Sequence, residues 1–167
     1  MLAIQITSMK QFMNQFLASD TFDLFLLEEA VIVGACTYQI DGTSRKEFYG
    51  DEDSSAYATG PYDFVTWKSM RPLIFDLIKG KHTPLSFKFV LHLMPKHVAS
   101  ILSAGSGSVT PEQVKAFVLN IRYDGNKIIL TTGTAFHTFL MDKEPDALWD
   151  NALLKFLNKK EIACEIM

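Results

Sequence analysis

The sequence predicts an α+β domain in which antiparallel β-structure carries helices packed on one face. Three patterns support this. Leu85, Phe87, Phe89, Leu91 and Leu93 alternate with Ser86, Lys88, Val90, His92 and Met94, the period of two that marks a half-buried strand. Lys115–Tyr123 and Lys127–Phe136 are two strand-like runs joined by Asp124-Gly125-Asn126, a tight-hairpin signal. Met9, Phe12, Met13, Phe16 and Leu17 fall at i, i+3, i+4, i+7 and i+8, the apolar stripe of a helix.

The elements follow in order. Residues 2–6 read as a short opening strand, and Thr7 or Ser8 can cap the helix that follows. Phe22–Leu27 and Val31–Ile40 are β-rich and stop at Asp41-Gly42, with a further short strand expected at Glu47–Tyr49. From Phe64 to Ile78 the period becomes helical, and Pro72 inside it predicts a kink or two short helices. Gly80 is a natural helix stop. Pro95 suits the first turn of a helix carrying Val98, Ile101 and Leu102. His137–Met141 would extend the second hairpin strand. Pro145 starts a last helix with Leu148, Trp149, Ala152, Leu153, Phe156 and Leu157 on one stripe, and Ile162–Met167 would add an edge strand.

With 167 residues the chain is the size of one ordinary domain and can bury roughly 70% of its unfolded surface. Its 48% hydrophobic and 21% charged residues exclude a disordered chain. No apolar run approaches the ~18 residues of a membrane span, and the first residues lack the pattern of a signal peptide. Two cysteines make no disulfide framework, and Cys36, in an apolar stretch, reads as a buried thiol. A cytoplasmic protein with reduced thiols is therefore expected.

The net charge of −3 conceals an uneven layout. Residues 1–63 carry −7, residues 64–100 carry +5 and residues 101–167 carry −1. The basic middle holds Lys68, Arg71, Lys79, Lys81, Lys88 and Lys96 against Asp76 alone. It is either an anion-binding face or the intramolecular partner of the acidic part, and the second option is the simpler.

The usual chemical motifs are missing. Asp51-Glu52-Asp53 suggests calcium, but the sixth position of the loop is Ala56 and the twelfth Tyr62, which excludes an EF-hand. Ala104–Ser108 follows a helix and lacks the Gly-Lys-Ser/Thr ending of a phosphate loop. His92 and His97 flank a strand-to-helix corner without the neighbours of a zinc set, and no nucleophile elbow is present. Neither catalytic residues nor metal ligands nor a cofactor can be assigned. The best binding candidate is Trp67, Lys68, Arg71, Lys79, Lys81 and His82. Its cations would meet phosphates while Trp67 stacked on a base. The plainer alternative buries Trp67 with Met70 and Ile74, and leaves Lys79 and Lys81 to stabilise a helix end.

Two resemblances can be stated. Tyr38-Gln39-Ile40-Asp41-Gly42, Phe48-Tyr49, Trp67 with Arg71-Pro72, and Ile78-Lys79-Gly80-Lys81-His82-Thr83-Pro84-Leu85 resemble an uncharacterised family of small bacterial proteins, a domain of unknown function. It implies no activity. The element order, best over residues 87–140, is similar to a domain of a DNA sliding clamp, through Leu93-Met94-Pro95, Ile101-Leu102 and Ile121–Gly133. That likeness implies two pseudo-symmetric halves, about 1–50 and 85–141, separated by a basic helical insertion at 61–82 and followed by a helix at 145–159. Clamps assemble several such units, and this chain has one.

The expected function is a non-enzymatic binding or scaffold domain whose protein or nucleic-acid partner meets the basic segment 64–100. The alternative is a small-molecule, anion-binding protein or enzyme with its pocket beside residues 67–82.

Overall fold

In the computed structural model, residues 1–49 and 62–167 are described. The acidic loop expected between Asp51 and Gly60 lies outside them.

Among the described residues, eight strands and four α-helices follow one another. They are β1 (Ala3–Ile6), α1 (Met9–Ala18), β2 (Phe25–Val33), β3 (Thr37–Asp41), β4 (Val65–Thr66), α2 (Trp67–Ile78), β5 (Ser86–Leu93), α3 (Pro95–Leu102), β6 (Val114–Tyr123), β7 (Ile128–Phe136), α4 (Glu144–Lys159) and β8 (Cys164–Ile166). The strands form one sheet in the order β3-β2-β5-β6-β7-β1-β8, with β4 also paired to β2. All of these pairings are antiparallel.

The register shows which face is covered. Directly opposed residues share a face, so Ala30, Phe89, Ile121, Leu130 and Ile4 form one row across the sheet. Each of them is fully buried. Phe16 of α1 and Trp67 of α2 pack on Phe89, and Trp149 of α4 stacks on Phe117, which shares that face. Helices α1, α2 and α4 therefore lie together on one side. Glu29, Lys88, His92 and Arg122 point to the other, where they stay partly or fully exposed.

Burial explains each helix. Phe12, Phe16 and Leu17 of α1 meet Phe22 and the sheet, with Phe16 edge-on to Phe22 at 5.2 Å. In α2, Thr66 accepts a hydrogen bond from the Ser69 amide and so caps the helix. Pro72 does not break it. Lys68 and Pro72 both lie on the exposed side, where water can satisfy the Lys68 carbonyl that the proline leaves without a donor. The segment is one twelve-residue helix and not two short ones. In α4, the Asp142 carboxylate accepts from the Glu144 amide, and Glu144 and Asp146 suit the first turn as Lys159 suits the last.

Several boundaries differ from expectation. The break anticipated between Phe22–Leu27 and Val31–Ile40 is no break: β2 runs through Glu28-Glu29-Ala30, with a bulge between Leu27 and Glu29. The turn comes at Gly34–Cys36, closed by a hydrogen bond from the Gly34 amide to the Cys36 carbonyl. This places Cys36 on the surface instead of in the core. Lys46–Tyr49 form a 3₁₀ turn where a strand was expected, and β7 ends at Phe136 without reaching Met141. Gly42 crosses the bulge so closely that a Cβ there would stand 1.8 Å from the Leu27 carbonyl oxygen, so only glycine fits.

The order strand–helix–strand–strand occurs twice, as β1-α1-β2-β3 and β5-α3-β6-β7. The hydrogen bonding does not repeat. β5 pairs with its own β6, whereas β1 pairs with β7 and β8 and never with β2. The expected pseudo-symmetry of two halves is not seen in the sheet.

Candidate functional site

The six residues singled out from the sequence do not form one surface. Trp67 is fully buried, stacked on Phe16 with ring centres 4.3 Å apart, and its indole N–H donates to the Phe16 carbonyl at 3.2 Å. Its ring is not available to stack on a base. Arg71 grips Asp23 with two hydrogen bonds, Nε to Oδ1 at 3.1 Å and Nη2 to Oδ2 at 2.9 Å, and ties α2 to the segment between α1 and β2. Lys79 pairs with Asp76 at 2.9 Å and lies over the Phe75 ring. Lys68 is exposed near the start of α2, about 16 Å along the axis from Lys79. Lys88, also in the basic stretch, binds Glu29 at 3.1 Å on the open sheet face. Three of the basic side chains thus have carboxylates of the same chain as partners.

What remains together is the connection from α2 to β5. Lys79, Gly80, His82, Thr83 and Pro84 border a groove of about 430 Å³ between α1 and the end of the sheet. Met9, Met13 and Leu17 of α1 form one wall, and Phe75 and Ile78 of α2 another. Phe87, Tyr123 and Ile128, where β5, β6 and β7 meet, close the bottom. The floor reaches the core, since Phe87 and Ile128 are buried, while Met9 and Phe75 at the mouth stay exposed. The charged and ionisable lining side chains besides Tyr123 are Lys10, Lys79 and His82, and no carboxylate is among the described lining residues. An apolar cleft with a cationic rim can hold an apolar body and neutralise an acid group at its mouth.

Lys10, Met9 and Met13 are the residues that sequence reasoning missed as site members. Met9 and Met13 belong to the stripe that the sequence predicts as core, and half of that is correct. Phe12 and Phe16 are buried in the core, but Met9 and Met13, with the buried Leu17, line the groove. The usable signal was the pair of flexible thioethers at i and i+4 beside a lysine, a lining that adapts to varied apolar shapes.

Two other hollows flank the sheet. One, of about 500 Å³, lies across the same connection and is bordered by Cys36, Tyr38, Lys81 and His82. There the neighbouring Cys36 side chain pushes the Tyr38 hydroxyl above its ordinary pKa. The other, of about 410 Å³, is bordered by Glu28, Glu29, Asp41, Thr43 and Phe64. The bulge turns Glu28 toward His92, which hydrogen-bonds its carboxylate while Phe64 packs edge-on to the imidazole. No three His, Cys, Asp or Glu side chains among the described residues are grouped to hold a metal ion.

The architecture is that of a small α+β domain with one antiparallel sheet, a helical layer on a single face, and an apolar groove under its first helix. Within that class, the chain belongs to a family described as "Family of unknown function (DUF5721)", whose model matches residues 15–165. This agrees with the resemblance seen at Tyr38–Gly42, at Trp67 with Arg71-Pro72, and at Ile78–Leu85. Neither the likeness to a sliding clamp nor a bacterial origin follows from membership. No curated protein and no solved structure matches the chain.

Proposed function

We propose that the protein is a non-enzymatic binding domain for an anionic amphiphile, an organic acid with an extended apolar body, held in the groove under α1. The observation that carries this is the pairing of an apolar floor reaching Phe87 and Ile128 with an ionisable rim of Lys10, Lys79 and His82. About 430 Å³ falls in the range of small-molecule sites. Nucleic-acid binding through the basic segment is less well supported, because Trp67 is buried and Arg71 and Lys88 are held by part-buried carboxylates, whereas the Lys79–Asp76 pair is exposed and leaves Lys79 open to a ligand. The two unpaired cysteines accord with a cytoplasmic setting, and no helix among the described residues is long and apolar enough to cross a membrane.

The test is a fluorescence titration with 11-(dansylamino)undecanoic acid and with its methyl ester. Saturable binding of the acid is expected, with the ester at least fivefold weaker. Lys10→Gln with Lys79→Gln should remove that preference, and Met13→Trp should block both probes by filling the cleft. Equal binding of acid and ester to the unaltered protein, or binding untouched by Met13→Trp, would overturn the proposal.

A further inference from the structure

A second groove, of about 350 Å³, runs between α3 and α4 on the other side of the helical layer. Its floor is apolar, built from Leu93, Ile101, Trp149 and Phe156. Two of its lining residues, Ser100 on α3 and Ala152 on α4, are small. Ile101, Ala152 and Phe156 keep partial exposure, so this is a channel on the surface and not a sealed cavity.

Its rim carries one sign of charge. Lys155 and Lys159 stand on α4 one turn apart, and His97 stands on α3. Both lysines are exposed. Neither makes an ion pair with a described residue. At i±3 and i±4 from Lys155 the chain has Asn151, Ala152, Asn158 and Lys159, and from Lys159 it has Lys155, Phe156, Ile162 and Ala163. No carboxylate therefore balances them along the helix, and like charges at i, i+4 weaken it slightly. The helix end favours Lys159, but the dipole fades within the last turn and does less for Lys155. Burial and the Lys96 charge hold the His97 imidazole below its ordinary pKa, which favours its neutral form.

We infer that this groove docks an amphipathic helix of a partner protein, with aliphatic anchors on the Ile101–Phe156 floor and two acidic side chains on Lys155 and Lys159. The spacing suits a helix, whose i and i+4 carboxylates can meet both lysines. The two lysines are about 6 Å apart along α4, the separation of carboxylates at i and i+4 on a docked helix. A small acid with a single charged group would engage only one of them. This site lies apart from the groove under α1 and stands or falls separately from it.

The experiment is selection of a displayed library of helical peptides against the intact protein, with counter-selection on Lys155→Glu/Lys159→Glu. Enriched peptides should carry Asp or Glu at i, i+4 beside Leu, Ile or Phe. Measured by fluorescence anisotropy, a selected peptide should bind the double variant at least tenfold more weakly, and its Glu→Lys counterpart should regain binding to that variant. Ala152→Arg should abolish binding, with circular dichroism confirming that each variant is folded. Enrichment without acidic pairs, no groove-dependent enrichment, or affinity unchanged in both variants would overturn the inference.

Discussion

Trp67 and Trp149 have similar partners and different surroundings. Each stacks on a phenylalanine, Trp67 on Phe16 at 4.3 Å and Trp149 on Phe117 at 5.4 Å. Each donates its indole N–H to a backbone carbonyl, of Phe16 and Val118 respectively. Trp67 thereby locks helix α2 to helix α1, and Phe89 closes the pocket from the sheet. Trp149 locks helix α4 to strand β6 and also forms the floor of the α3–α4 groove. The same bonding makes one region a closed core and the other a core with a binding-sized opening. What differs is the neighbouring side chains: Phe16 and Phe89 pack on Trp67, while the groove beside Trp149 is lined by the small Ser100 and Ala152.

The largest effect should come from Trp67→Ala, which empties the most enclosed site and should cost about 3–5 kcal/mol. For a domain of this size that lowers Tm by roughly 10 °C, readable by thermal denaturation. Trp149→Ala should cost less, near the lower end of the same range, because its cavity opens into the groove and can fill with water. Equal losses would mean that the two sites are equally closed. Trp→Phe at either position keeps most of the ring but leaves a carbonyl without its donor, at about 1–3 kcal/mol each.

Arg71→Met tests the ion pair that braces the Trp67 region. It strands the half-buried Asp23 carboxylate, and urea denaturation should show a loss of about 1–3 kcal/mol. Lys68→Gln, on the exposed side of the same helix, should stay within about 0.5 kcal/mol of the unaltered protein.

The smallest effect concerns pH and falls on the Trp149 side. His97 has its pKa lowered in the folded state by burial and by Lys96, so the unfolded chain binds the extra proton more readily. Its contribution to stability is complete above about pH 6.5, the ordinary histidine value, and is lost as pH falls through the lower folded-state value. Comparing urea midpoints at pH 7.5 and pH 5.5, His97→Gln should show a smaller drop than the unaltered protein. The Asp142 and Glu144 carboxylates, held below their ordinary range chiefly by backbone amides at Glu144 and Ser106, add a further loss at lower pH that this substitution leaves in place.

Much of the fold could be read where one local pattern dominated. The alternation in β5, the hairpin of β6 and β7, the stripes of α1 and α4 and the edge strand β8 all appear within a residue or two of expectation. Errors cluster where a local signal met a tertiary remedy. Glu28-Glu29 fall between the two β-rich runs Phe22–Leu27 and Val31–Ile40, but a bulge and the hydrogen bond from the Gly42 amide to the Glu28 carbonyl carry β2 through them. Val31–Cys36 looked continuous because it is apolar, yet the chain turns there. Of the six candidate site residues, Lys79 and His82 line the groove under α1 and Lys81 borders the hollow across the connection. Lys68 lines neither, and Trp67 and Arg71 serve the packing of α2.

The sequence by itself determined the helical and strand periods, the acidic and basic thirds, and the exclusion of an EF-hand loop and a phosphate loop, because each depends on residues close along the chain. Only the tertiary structure decided that β1 leaves β2 to pair with β7 and β8, that Trp67 faces Phe16, and that Arg71 spends its charge on Asp23. These contacts span tens to more than a hundred residues. A strand's pattern specifies its buried face but not which edge it joins, and a cation's partner is set by geometry that no local spacing encodes.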